Sequence, residues 1–181
     1  ILGVERLPAF ADEARARVAA DGLDDLIEVR TGDAADHPLE PGSWDAVLCL
    51  GASFVWGTIA DAAEVLAPAV PEGGSVAIGE PFWRRWPLPE SVAASDYVDL
   101  RETVARFERP GLALTGLIAA SEDDWDQYES LHWRAVEEWL AEHPAHPDAL
   151  SVREQHERYR DEYVRSGRAL LGWAIFVGRK L

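Results

Sequence analysis

Two short apolar runs, each closed by an acid, limit what this chain can become more than any other feature. Ile1-Leu2-Gly3-Val4 ends at Glu5, and Leu26-Ile27-Glu28-Val29-Arg30-Thr31-Gly32 ends at Asp33. A third run, Trp44-Asp45-Ala46-Val47-Leu48-Cys49-Leu50, opens into Gly51-Ala52-Ser53. Runs of this kind, separated by a helical stretch or a tight loop, predict parallel strands of an open α/β sheet. Ligands of such sheets bind at the carboxyl ends of the strands. A carboxylate there can accept two hydrogen bonds from a ribose diol, so Glu5 is a candidate nucleoside-binding residue. Asp33 is placed to accept from an exocyclic amine.

The stretches between and after these runs follow the helical period. Pro8 at a first helical position, then Phe10, Ala14 and Val18 on one face and Gly22 as a stop, predict an amphipathic helix over 8–21. Thr58 to Ala69 predicts the next crossover helix, ended by Pro68 and Pro71, and the connections are expected to be right-handed. Residues 81–110 hold Pro81, Pro87, Pro89 and Pro110 among aromatic and charged residues, which suits an insertion over the strand ends. Leu112 to Ala120 predicts a further strand. Ser121 with Asp124 three residues on forms a capping-box pattern for a helix with Trp125, Tyr128, His132, Val136 and Trp139 on one stripe. Pro144 ends it. A second helix, 149–166, carries Val152, His156, Tyr159 and Tyr163 before Gly167.

With 181 residues, 48% apolar and 28% charged, the chain suits one globular domain with a substantial core. No apolar stretch approaches the roughly 20 residues that span a bilayer, and no secretory signal pattern is present. The single Cys49 lies in a predicted strand, which rules out an internal disulfide and fits a reducing cytoplasm. The net charge of −16 argues against a nucleic-acid partner, since phosphates need clustered Lys and Arg. His143 and His146 lack an acidic or Cys companion and are expected to be turn residues rather than metal ligands.

Taken in order, several pieces resemble class I S-adenosylmethionine (SAM)-dependent methyltransferases. They are Gly3-Val4-Glu5, Gly32-Asp33-Ala34, Trp44-Asp45-Ala46-Val47, Glu72-Gly73-Gly74-Ser75-Val76-Ala77-Ile78, and a tail from Leu170 to Val177 that is similar to the family's antiparallel last strand. Gly79-Glu80-Pro81-Phe82-Trp83 and Gly172-Trp173-Ala174-Ile175-Phe176 are similar to a small bacterial subgroup. The resemblance implies a doubly wound Rossmann-like sheet with helical lid insertions and an antiparallel last strand. It also implies a single domain: a cofactor half over 1–80, lid segments over 81–109 and 122–166, and a last strand over 170–179. The family's first strand and glycine-rich loop have no counterpart here. Nothing precedes Ile1 and the chain contains no methionine. The chain is therefore expected to be a fragment, or a longer protein whose amino-terminal part is not represented.

The resemblance further implies SAM as cofactor, with Glu5 on the ribose, Asp33 and the Ala34 backbone N–H at the adenine edge, and Leu50, Gly51 and Ala52 near the methyl donor. An Asn/Asp-Pro-Pro-aromatic motif is absent at Cys49-Leu50-Gly51-Ala52-Ser53, which disfavours amino methylation of nucleobases and points to a small-molecule acceptor. Glu80 is a candidate base or substrate-orienting carboxylate, against a salt bridge with Arg84 or Arg85. His132 is a second candidate base, against a packing role. Phe82, Trp83, Trp125 and Tyr128 are candidate walls of an acceptor pocket, and eight tryptophans make an aromatic lid core the competing account. A homodimer is compatible with this reading. The rival functions are a nicotinamide-dependent Rossmann oxidoreductase, where an acid after the second strand also holds a ribose diol, and a non-catalytic partner subunit with the same fold.

Overall fold

The structure, a computed structural model, describes residues 1–90, 92 and 96–181. In chain order its elements are β1 (Leu2–Glu5), α1 (Pro8–Ala20), β2 (Glu28–Thr31), β3 (Ala46–Leu50), α2 (Ile59–Leu66), β4 (Ser75–Trp83), α3 (Leu100–Glu108), β5 (Leu112–Ala119), α4 (Glu122–Glu142), α5 (Ala149–Glu162), the short α6 (Arg168–Leu170) and β6 (Leu171–Lys180). The described strands form two sheets that share no ladder: β1 with β2, and the order β3-β4-β6-β5. β1 runs parallel to β2 and β3 parallel to β4, while β6 is antiparallel to both its neighbours. The four-stranded sheet is mixed, as the parallel runs and the terminal strand imply, while β1 and β2 form a separate parallel pair among the described strands.

The core lies against one face of the larger sheet. Val76, Ile78 and Phe82 of β4 and Ala174 and Phe176 of β6 alternate inward, as a pleated strand requires, and meet Ile59, Ala62, Ala63 and Leu66 of α2 and Phe107 of α3. Small residues at 62 and 63 let α2 lie close to the strands. Thr58 caps this helix through a reciprocal pair with Asp61.

Three expectations change. The strand after α2 does not stop at Glu80, where the cofactor half was expected to end; it runs on to Trp83, because β6 continues to pair with it as far as Leu171. Pro81 is tolerated inside it since β3 has left that flank after Gly79, so the missing N–H deprives no ladder. The expected lid over 81–109 is therefore divided. Its start belongs to β4, and its end forms α3, with Thr103 and Phe107 in the core; residues 91 and 93–95 of it lie outside the described residues. On α1 the inward residues are Ala11, Ala14 and Val18, and Phe10 is exposed.

The carboxyl-terminal helices follow the sequence closely. Ser121 and Asp124 form the reciprocal cap of α4, and the helix ends at Glu142 before Pro144. Its inward line runs through Trp125, Glu129, Trp133, Val136 and Leu140, however, leaving Tyr128 and His132 exposed on its flank.

Candidate functional site

A cleft of about 780 Å³ opens beyond the carboxyl end of β3, between β4, the start of α4 and the segment leading into α3. Leu50 and Gly51 form its edge. Gly51 takes φ +74°, a region that disfavours side chains, and donates its N–H to Gly79 O at 3.0 Å. Ser53, in the turn that follows β3, is buried against the cleft wall.

Glu80 is the buried acid among the residues that line this cleft. Alternation along β4 places it on the same face as Ile78 and Phe82, one step beyond the apolar core, so only 6% of it is exposed. Burial pushes its carboxyl above the ordinary carboxylate range, and the Ser53 hydroxyl, which donates to Oε2, offsets part of that shift. Arg84 is not its partner. That guanidinium donates to Leu171 O at 3.1 Å and Ala120 O at 2.9 Å, tying β4 to the start of β6 and the end of β5. The result is a desolvated carboxylate at an opening, held by a hydroxyl rather than by a cation.

Aromatic side chains line the same cleft: Phe54, Tyr97, Trp125, Tyr128 and Trp173. Trp173 is pinned by glycine chemistry. A Cβ at Gly79 would lie 2.5 Å from the Trp173 ring and 3.2 Å from Gly51 N, so only glycine lets the indole cross β4 beside the cleft floor. Trp125 and Tyr128 meet edge to face at 5.8 Å between ring centroids.

The other expected residues are distributed around this centre. Phe82 is in the apolar core, its ring over Gly172 where a Cβ would lie 2.5 Å away, so it is not a wall of the cleft. Trp83 and His132 line a second, smaller cavity, and Tyr128 lines both. His132 and Glu80 are thus not brought into one cavity. Ala52 packs against the core cluster behind Leu50 and Gly51.

Glu5 closes β1 half-buried, and its Oε1 accepts from Leu7 N–H at 2.7 Å at the start of α1. Asp33 caps the turn over Ala34–Asp36, accepting from Ala35 N–H at 3.0 Å. A carboxylate oxygen has two lone pairs and each acid keeps a second oxygen, so both retain acceptor capacity for a nucleoside. Gly32 and Gly51 face open space where a side chain would stand. The residues at these strand ends therefore fit a nucleoside cofactor. Ser53, Phe54, Tyr97 and Trp173 are among the cleft residues that sequence reasoning missed. Ser53 directly follows the noted Gly51-Ala52, whereas the place of Trp173 depends on the β4–β6 register, which no local pattern reveals.

The chain matches the model of a methyltransferase domain over residues 1–78. It is 29% identical over 182 residues to the uncharacterised protein YjhP of Escherichia coli K12, covering 97% of this chain and 73% of that protein. A SAM-dependent methyltransferase from Thiobacillus denitrificans, solved with S-adenosyl-L-homocysteine, is 30% identical with a TM-score of 0.88, covering 99% of this chain and 75% of that one. A SAM-dependent methyltransferase from Geobacter sulfurreducens with the same ligand gives 30% identity, a TM-score of 0.90 and coverage of 99% and 75%.

Proposed function

We propose a small molecule as the methyl acceptor of this chain, which belongs to the class I SAM-dependent methyltransferases. Its cofactor is SAM, which when bound supplies a methyl group on a sulfonium for in-line displacement. The residues fitted to hold it are Glu5 at the ribose, Asp33 and the Ala34 N–H at the adenine edge, and Leu50, Gly51 and Ala52 around the donor end.

The observation that carries the acceptor reading is the cleft at Glu80, a concave aromatic-walled space with a desolvated carboxylate. Its volume falls within the roughly 300–1,000 Å³ usual for small-ligand sites. No Lys or Arg is among the described residues that line it, so it offers a phosphate backbone nothing to bind. Glu80 then acts as the base that takes the acceptor's O–H or N–H proton, and burial suits it to that role by raising its proton affinity. Ser53 holds the carboxylate in place. Trp125, Tyr128 and Trp173 position a flat or apolar acceptor and exclude water, which supplies much of the rate advantage in a displacement of this kind. A reducing, cytoplasmic setting suits this chemistry and the lone buried Cys49.

The test is release of S-adenosyl-L-homocysteine on incubation with panels of small hydroxyl and amine compounds, and in parallel with RNA, DNA and protein. Turnover is expected with small molecules, and Trp125→Ala is expected to damage it while leaving SAM affinity nearly intact. Turnover confined to a macromolecular substrate would overturn the reading.

A further inference from the structure

A second cavity lies beside the cleft and shares Tyr128 with it. It encloses about 350 Å³ between the end of β4, α4 and the chain following α5, with Trp83, Tyr128, Glu129, Tyr159, Glu162 and Tyr163 among its walls. We propose that this cavity is a binding site for a small organic cation, an alkylammonium about the size of choline.

Three observations support that ligand class. Four aromatic side chains, Trp83, Tyr128, Tyr159 and Tyr163, line the cavity, and the negative quadrupole of an aromatic ring attracts a cation within about 6 Å. Two carboxylates reach the cavity from different helices, Glu129 of α4 and Glu162 at the end of α5, and no Lys or Arg is among the described lining residues. His132 is the nitrogen base on the wall. Of the arginines next to these walls in sequence, Arg168 pairs with Glu122 at 2.8 Å and Asp126 at 3.0 Å, Arg165 pairs with Asp161 at 2.6 Å, and Arg84 donates to Leu171 O and Ala120 O, while Arg158 lies over the ring of one wall residue, 5.9 Å from the Tyr159 centroid.

The third observation is the setting of Glu129. It is half-buried on the inward line of α4, and burial pushes its carboxyl up, a shift that His132 and the neighbouring Trp133 offset only in part. A carboxylate desolvated in this way gains from a cationic neighbour. An anionic occupant would face two carboxylates, and a neutral apolar one would add nothing to the partial offset that Glu129 already has. The volume lies near the lower end for ligand sites, which suits one small head group.

Tyr128 also lines the larger cleft, so the ammonium can be one arm of the methyl acceptor or a separate small molecule. The chemistry is shared, and the site does not depend on the methyl-transfer reading.

The experiment titrates choline into the 181-residue chain at low ionic strength, followed by tryptophan fluorescence and calorimetry, with neutral 3,3-dimethylbutan-1-ol in parallel. Choline is expected to bind saturably and at least about tenfold more tightly than its uncharged isostere. Glu162→Gln, at an exposed position, should weaken binding several-fold, and Glu129→Gln with Glu162→Gln by about tenfold or more, with thermal unfolding unchanged in the single variant. Equal binding of the two probes, no binding of choline, or choline affinity indifferent to both substitutions would overturn the proposal. Competition between choline and the acceptor in turnover assigns the ammonium to the acceptor; binding that leaves acceptor KM unchanged assigns it to a separate ligand. A chain that binds choline but never turns over SAM keeps this site and counts against the proposed reaction alone.

Discussion

In the four-stranded sheet Val76, Ile78, Ala174 and Phe176 have no exposed surface, whereas in the layer of β1, β2 and α1 only Ala11 is buried. Yet that thin layer carries Glu5 and Asp33, the residues suited to read a nucleoside, while Glu80 sits in the thick one. The contrast separates two kinds of sensitivity. Changes in the sheet that holds Glu80 are expected to strike packing first, and changes at the ends of β1 and β2, where little apolar burial is at stake, are expected to strike the proposed cofactor binding.

The sharpest way to break this contrast is to compare truncations in the two layers. Phe176→Ala empties a fully buried site and is expected to cost about 3–5 kcal/mol of unfolding free energy in a denaturant titration. Val4→Ala, at a half-buried position of β1, should cost under about 1 kcal/mol in the same titration. Comparable losses would show that the amino-terminal layer is part of the main cooperative core.

Glu5→Ala comes next in size. Removing a charged acceptor from the ribose diol is expected to weaken SAM at least about tenfold by calorimetry, with little change in the unfolding midpoint. It also removes the Leu7 N–H partner, so a stability loss larger than the affinity loss would assign Glu5 to the start of α1 instead. Asp33→Asn should produce a smaller, few-fold loss of SAM affinity. An inosine form of the cofactor binding as well as the adenosine form would remove Asp33 from the adenine edge. Phe10→Ala, at a position 63% exposed, should change stability by less than about 0.5 kcal/mol.

How much of this was legible in the sequence follows the same division. The strands that end at Glu5, Thr31 and Leu50, the caps at Thr58 and Ser121, and the antiparallel last strand all carry local signals: apolar runs, turn glycines and reciprocal cap pairs. Sequence patterns alone could not show that β4 extends past Pro81, because that extension depends on β6 arriving some ninety residues later. The same register decides that Phe82 packs inward while Trp83 lines the second cavity. The stripe on α4 was one step off: Tyr128 and His132 lie on the flank, because the inward line passes through Glu129 and Trp133, and a polar residue at 129 hides that line from a hydrophobic count.

The claim that joins these parts is that Glu80 removes the acceptor's proton while the amino-terminal layer binds SAM. A pH–rate profile of kcat for the protein and for Glu80→Gln, with SAM affinity measured on the same samples, tests it most directly. A base must be unprotonated, so activity should fall as pH drops through the pKa of Glu80, and burial places that limb above the ordinary carboxylate value of 4.5. In Glu80→Gln the limb should vanish and kcat drop by about 100-fold or more, with SAM affinity within about twofold of the parent. A Glu80→Gln protein that keeps both its kcat and the acid limb would contradict the account.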